Sequence, residues 1–281
     1  MSANLFHSVV ILDAIPEGQL STARRLREDL RDIAIAFSPT PEIRYFRLET
    51  PDDFVAAIQE LKRGVKTGGV FPLLHFEGHG GELGLEMANG EGFSWNKLKN
   101  ELIPLNEEMG LNLMLILAAC HGATFIRAMS TIERAPVWGI IGPVSTVEAG
   151  ETQSAFGAFY SAIFRGQSTS AAVKALNENG GVQYYRTSAE RFFYEVWCRY
   201  QEHECSKAKL EERARRLRKK AKAENRAMKV PSVGHLKRRL KSSESDIFEK
   251  YRDTYFMFDR YPENRVRFRV TYTEAMKRCQ R

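Results

Sequence analysis

The sequence predicts an α/β fold: a mostly parallel central sheet covered by helices on both faces, followed by a basic helical extension. Three observations carry this. Short apolar runs alternate with helix-period segments from residue 8 to about residue 181. The runs at 73–74 and 113–119 are apolar at successive positions, as in strands buried on both faces. Lys and Arg gather late: residues 207–241 hold 15 Lys+Arg against 3 Asp+Glu, a balance of +12, while the rest holds 27 against 32. The chain is thus a slightly acidic globule with one basic segment, and the net +7 reports that segment. With 281 residues, 43% hydrophobic, it is large enough for a packed core. We divide it at 1–185, the α/β domain, and 186–281, the basic helical part with a terminal strand.

The elements follow in order. Residues 8–13 are a β-branched run, ended by Pro16 and Gly18. Leu26, Leu30, Ile33 and Phe37 repeat at helical spacing across 20–37. Residues 43–48 form a second strand. The Thr-Pro-Asp-Asp at 50–53 starts a helix to residue 62, with Pro in the first turn and acids facing the helix N-terminus. Residues 70–78 form the third strand. Asn89-Gly90 turns a hairpin within 83–95. A helix over 94–105 should stop near Pro104. Residues 111–119 form the fourth strand, 124–133 a helix, 137–141 the fifth strand, and 152–164 and 170–177 two amphipathic helices. Residues 191–227 read as one long helix, aromatic at first and then carrying a thin stripe of Leu210, Ala214, Leu217 and Ala221. Residues 248–258 are rich in aromatics, and 266–272 alternate like an edge strand.

Two positions carry chemistry. His79-Gly80 and Cys120 each close an apolar run, and in open parallel sheets sites form beyond the carboxyl ends of the strands. A thiolate is the competent nucleophile, and an imidazole beside it favours that form and protonates a leaving amine. Gly80 has no Cβ to keep a substrate carbonyl from its N–H, and the Cys120 N–H is the natural second donor to an oxyanion. Taken singly, a strand cysteine is a small core hydrophobe and a strand-end histidine a structural one; the pairing argues for chemistry. His75, inside its strand, reads as a packing residue. Glu77 either orients a histidine or lines a polar pocket. A zinc site at Cys198, His203 and Cys205 fails, because His203 leaves the helix face the cysteines share. Four cysteines are no disulfide framework.

His-Phe-Glu-Gly-His-Gly at 75–80 and Ala-Ala-Cys-His-Gly at 118–122 resemble the paired motifs of the caspase-like cysteine peptidases, most closely the bacterial CHAT branch and in part the metacaspases. The resemblance extends to Gly-Ile-Ile-Gly-Pro-Val-Ser-Thr-Val-Glu at 139–148 and Phe-Gly-Ala-Phe-Tyr at 156–160. It implies a caspase-like α/β/α sandwich, a His79/Cys120 dyad, and an oxyanion hole from Gly80 and Cys120. The chemistry needs no cofactor and no metal. Ala118 stands where such relatives carry Gln or Asp and so gives no substrate preference. Two acids are candidates for the substrate pocket: Asp13 after the first strand and Glu148 after the fifth, with Glu148 favoured by the resemblance. A carboxylate there would pair with Arg or Lys of a substrate.

The expected function is therefore a cysteine endopeptidase acting on a protein partner after a basic residue, in bacterial defence or regulated proteolysis, switched on by a separate sensor protein. The rivals are a catalytically silent scaffold and a nucleic-acid-binding protein using residues 207–241. Those residues lack interleaved aromatics, which speaks against single-strand binding. The basic run at 213–220 is also a candidate self-cleavage or occluding segment. Residues 1–15 lack the pattern of a signal peptide, and no apolar run is long enough to span a bilayer, so a cytoplasmic protein without membrane contact is expected.

Overall fold

A computed structural model describes residues 6, 8–69, 71–119, 122–130, 132–143, 153–181, 183–224 and 230–280. The chain forms two compact units. One comprises Met1–Met129 with Ala135–Ala189, the other Ser130–Arg134 with Glu190–Arg281.

The first unit is α/β. Its strands are β1 (Ser8–Asp13), β2 (Glu42–Arg47), β3 (Pro72–Glu77), β4 (Gly84–Glu86), β5 (Gly92–Ser94), β6 (Met114–Ala118), β7 (Gly139–Pro143) and β8 (Tyr184–Ser188). Its helices are α1 (Thr22–Ala34), α2 (Pro51–Gly68), α3 (Trp95–Glu108), α4 (Gln153–Phe164) and α5 (Thr169–Asn179), with a 3₁₀ turn at Gly122–Ala128. Six strands make one sheet in the order β2-β1-β3-β6-β7-β8. All neighbours are parallel except β8, which runs antiparallel to β7. Alternate residues serve two layers. Val9, Ile11, Leu73, Met114 and Ile116 pack with Leu26 and Leu30 of α1 and Phe156, Phe159 and Tyr160 of α4. Val10, Leu12, Leu74, Phe76, Leu115 and Leu117 point to the other face and are equally buried. Each fully buried large apolar side chain contributes about 1.5–3 kcal/mol.

Local chemistry sets the boundaries. Thr50 caps α2 with a reciprocal Thr50–Asp53 box, and Gly69 ends it in the left-handed region at φ 61°. Gly90, at φ 86°, turns the β4–β5 hairpin. Helix α3 runs through Pro104 to Glu108 instead of stopping there. Leu102 and Leu105 on either side are buried, and the Asn106 amide donates to the Ala135 carbonyl while its oxygen accepts the Leu113 N–H. That tertiary anchoring outweighs the backbone bond Pro104 cannot make. The helix expected over 124–133 is the short 3₁₀ turn. Strand β8 has no counterpart in the sequence reading.

The second unit is helical: α6 (Ala189–Glu204), α7 (Lys207–Glu224), α8 (Val233–Ser242), α9 (Glu244–Tyr255), α10 (Asn264–Arg267) and α11 (Tyr272–Cys279). The long helix expected over 191–227 is two helices, because the Ser206 hydroxyl accepts the Lys209 N–H and starts a new one. The edge strand expected at 266–272 is absent. Phe268 and Val270 are buried at alternate positions, but no described strand pairs with them, and Thr271 caps α11 instead. Phe193 and Trp197 of α6 pack edge-on against Phe248 of α9, and Phe193 also meets Tyr255 and Phe256. Each such pair contributes about 0.5–1.5 kcal/mol beyond its burial. Arg134 grips Asp259 through two bonds of 2.8 and 2.6 Å, which holds that carboxyl below its usual range.

Cys198 and Cys279 form a disulfide across 81 residues, and Cys205 is free. The sequence reading expected no disulfide framework and did not pair these two cysteines. The pairing depends on side-chain contacts that bring α11 to α6, where Arg278 stacks over Tyr194 and Tyr272 meets Trp197. No helix among the described residues is long and apolar enough to cross a membrane.

Candidate active site

Parallel pairing sets the carboxyl ends of four strands in one row. Asp13 pairs with Arg47 on one side and with Glu77 on the other, and Glu77 pairs with Ala118. Arg47, Asp13, Glu77 and Ala118 are thus neighbours in register, one per strand. In sequence, His79 and Cys120 each follow the Glu77–Ala118 pair by two residues. Cys120 lies outside the described residues, as do His121 and Glu148.

His79 is exposed and held from two sides. Its ring Nε2 lies 2.9 Å from Gln19 Oε1. Its carbonyl accepts the Glu86 N–H at 3.0 Å, and the Gly81 N–H donates to the Gly84 carbonyl at 2.8 Å. These two bonds flank an antiparallel bridge between Gly80 and Leu85. Gly80 occupies the non-hydrogen-bonded position of that bridge, so its N–H points away from β4 and is not consumed by the ladder. The Gln19 amide thus fixes one edge of the ring and leaves Nδ1 as the nitrogen it does not engage. A groove of about 450 Å³ opens beside this turn, lined by Gly80, Gly81, Leu83, Gly84, Leu85 and Phe93 among others. Strands β4 and β5 approach so closely there that a Cβ on Gly84 would stand 2.2 Å from the Phe93 carbonyl oxygen.

Beneath His79 lies a buried polar chain. His75 is 0% and Glu77 5% exposed. Both project from the same face of β3. His75 Nδ1 lies 2.8 Å from the Tyr160 hydroxyl and Nε2 3.1 Å from Glu77 Oε1. The Thr22 hydroxyl donates to the other Glu77 oxygen. Burial first, and the Glu77 charge second, push the Tyr160 phenol well above its ordinary value. Tyr160 therefore keeps its phenolic proton, and both ring nitrogens of His75 are taken, Nδ1 by Tyr160 and Nε2 by Glu77. Every member is satisfied, and none faces solvent. His75 is a packing residue, and Glu77 serves His75 rather than His79.

Asp13 is 1% exposed, and its carboxylate is already engaged. It accepts the Ile15 N–H at 2.9 Å, the Arg47 guanidinium at 3.2 Å and the Tyr45 hydroxyl. Burial, then the bond to Asp13, raise the Tyr45 phenol. A carboxylate so occupied has little capacity left for a substrate cation. These bonds tie Asp13 to β2 and to the start of the loop at 14–19 that carries Gln19. A cleft of about 280 Å³ adjoins this loop, lined by Glu17, Gln19, Ser21, Arg24, Arg47 and Glu49 among others.

The sequence reading did not identify Gln19, Thr22 or Tyr160 as site residues. Gln19 lies 60 residues from His79, and no spacing rule links them. The His75–Glu77 contact is an i, i+2 pair on one strand face, and that signal was available. Comparison with protein-family models and with curated proteins returns no match.

Proposed function

We propose that this chain is a caspase-like cysteine endopeptidase with His79 and Cys120 as its dyad. The supporting observation is the row of registered strand ends: parallel strands β3 and β6 are neighbours, and Glu77 opposes Ala118 two residues before each dyad member. In this reading the Cys120 thiolate attacks the scissile carbonyl carbon. The Gly80 and Cys120 N–H groups hold the oxyanion. The His79 imidazolium gives its proton to the leaving amine as the C–N bond breaks. Water then hydrolyses the thioester, with His79 taking a proton from it and returning one to the sulfur. Two features of the described chain favour this: the Gly80 N–H not consumed by β4, and the His79 ring fixed by Gln19.

The proposed preference is for a basic residue, and it rests on Glu148, since Asp13 is occupied by Arg47, Tyr45 and Ile15. The proposed setting is bacterial defence or regulated proteolysis with a sensor protein as activator. A cytoplasmic site of action belongs to the same reading, and Cys198–Cys279 pulls against it, because structural disulfides are rare in reducing compartments.

A peptide-library cleavage assay with the purified chain and Cys120→Ala tests this. Cleavage after Arg or Lys, lost in Cys120→Ala, is expected. Glu148→Ala should reduce the basic preference at least about tenfold while other peptides are cut as before, the scale of one lost charge-assisted contact. Equal cleavage by natural chain and Cys120→Ala rejects the dyad, and an unchanged preference in Glu148→Ala rejects the pocket.

A further inference from the structure

We propose that the α7–α8 helical hairpin is a docking surface for double-stranded nucleic acid, bound through its phosphates. The inference is independent of the cysteine chemistry. Helices α7 and α8 pack side by side, and Leu210 and Ala214 are buried on the inner stripe of α7. At 100° per residue, Lys209, Arg215, Arg216, Lys219 and Lys222 fall on the arc opposite that stripe. All five are exposed. Glu212, an acid on the same arc, is held by Lys209 at 3.0 Å, and Glu211 at its edge is held by Arg215 and Lys237 at 2.7 and 3.2 Å. Local acids are thus already balanced, and Arg216, Lys219 and Lys222 extend the positive face. Arg238, Arg239 and Lys241 of α8 are exposed as well.

The chemistry selects the partner. Helix α7 has 18 residues, hence a length of about 27 Å, enough to follow several phosphates of a duplex carrying one charge per about 1.7 Å. Neither helix contains Phe, Tyr or Trp, so the stacking platforms that single strands use are missing from them. An interfacial membrane helix inserts a continuous apolar stripe, whereas here Leu210 and Ala214 are already buried within the protein and Leu217, 43% exposed, is the one large apolar side chain of the stripe left open. The fit is to a regular array of phosphates, read without base contacts.

Fluorescence anisotropy of the full chain with a labelled duplex of about 20 base pairs is the test. Binding should weaken steeply from about 50 to about 200 mM salt. The triple variant Arg216→Gln, Lys219→Gln, Lys222→Gln should bind at least about tenfold more weakly, and its log–log salt slope should be shallower by about 2.7, at about 0.9 per lost phosphate contact. Circular dichroism on the variant checks that the exposed substitutions leave the fold intact. Absence of duplex binding at low salt, an unchanged slope in a folded triple variant, or binding to phosphatidylserine vesicles in place of the duplex would each overturn the proposal.

Discussion

His79→Ala is expected to cut peptide cleavage by roughly 10⁴-fold, and His79→Ala combined with Cys120→Ala to be no worse than Cys120→Ala alone. Members of a catalytic unit are grossly non-additive, because removing one disables the others. In His79→Ala the sulfur remains but loses the imidazolium that favours its thiolate, so alkylation of Cys120 near neutral pH should slow as well. A purely structural histidine would change neither rate. Gln19→Ala is the graded control. It removes one hydrogen bond to the ring, about 1 kcal/mol, and so should slow cleavage by about fivefold rather than by orders of magnitude. His75→Ala does not compete for the same role, since that ring is fully buried and its two nitrogens are taken by Tyr160 and Glu77. Steady-state cleavage of the best library peptide reads all of these; a His79→Ala variant that keeps more than about a tenth of the rate removes histidine from the mechanism.

The parts of the fold legible in the sequence are those where one local rule and burial agree. Strand β1 is read at its observed bounds because every residue of it is buried and Pro16 and Gly18 follow. The Thr50 cap and the Asn89-Gly90 turn are likewise local chemistry. What was not legible depends on partners distant in sequence. Strand β8 is a five-residue edge strand with a half-exposed Tyr185, and only its ladder to β7 makes it a strand. The alternation at 266–272 is real in burial, but no partner strand completes it. Pro104 sits inside a helix because Asn106, two residues on, is fastened to Ala135 and Leu113. The disulfide joins cysteines 81 residues apart. In the candidate site the same division holds. His79 and Gly80 are marked by the strand end, whereas Gln19 reaches His79 only after β1 and β3 have paired, and the engagement of Asp13 by Arg47 requires β2 beside β1.

The buried chain under the site makes the second large prediction. His75→Ala should destabilise the protein by about 3–5 kcal/mol, seen as a lowered urea midpoint at unchanged slope. The substitution strips Glu77 of one donor, leaves the Tyr160 hydroxyl without its acceptor, and opens a cavity beside Phe156, which packs edge-on against the ring at 4.5 Å. Tyr160→Phe should cost less, about 1–3 kcal/mol, because it leaves only Nδ1 of His75 unpaired. Combined, the two should cost less than their sum by about 1 kcal/mol, since the phenol orphaned by the first is deleted by the second. Strict additivity would mean that the Tyr160–His75 contact carries no energy. Cleavage by the folded Tyr160→Phe protein should stay within a few-fold of normal, because Tyr160 touches no reacting atom in the proposed mechanism and reaches His79 only through β3. A loss as deep as that of His79→Ala in a stably folded Tyr160→Phe would instead place the buried chain in the proton path.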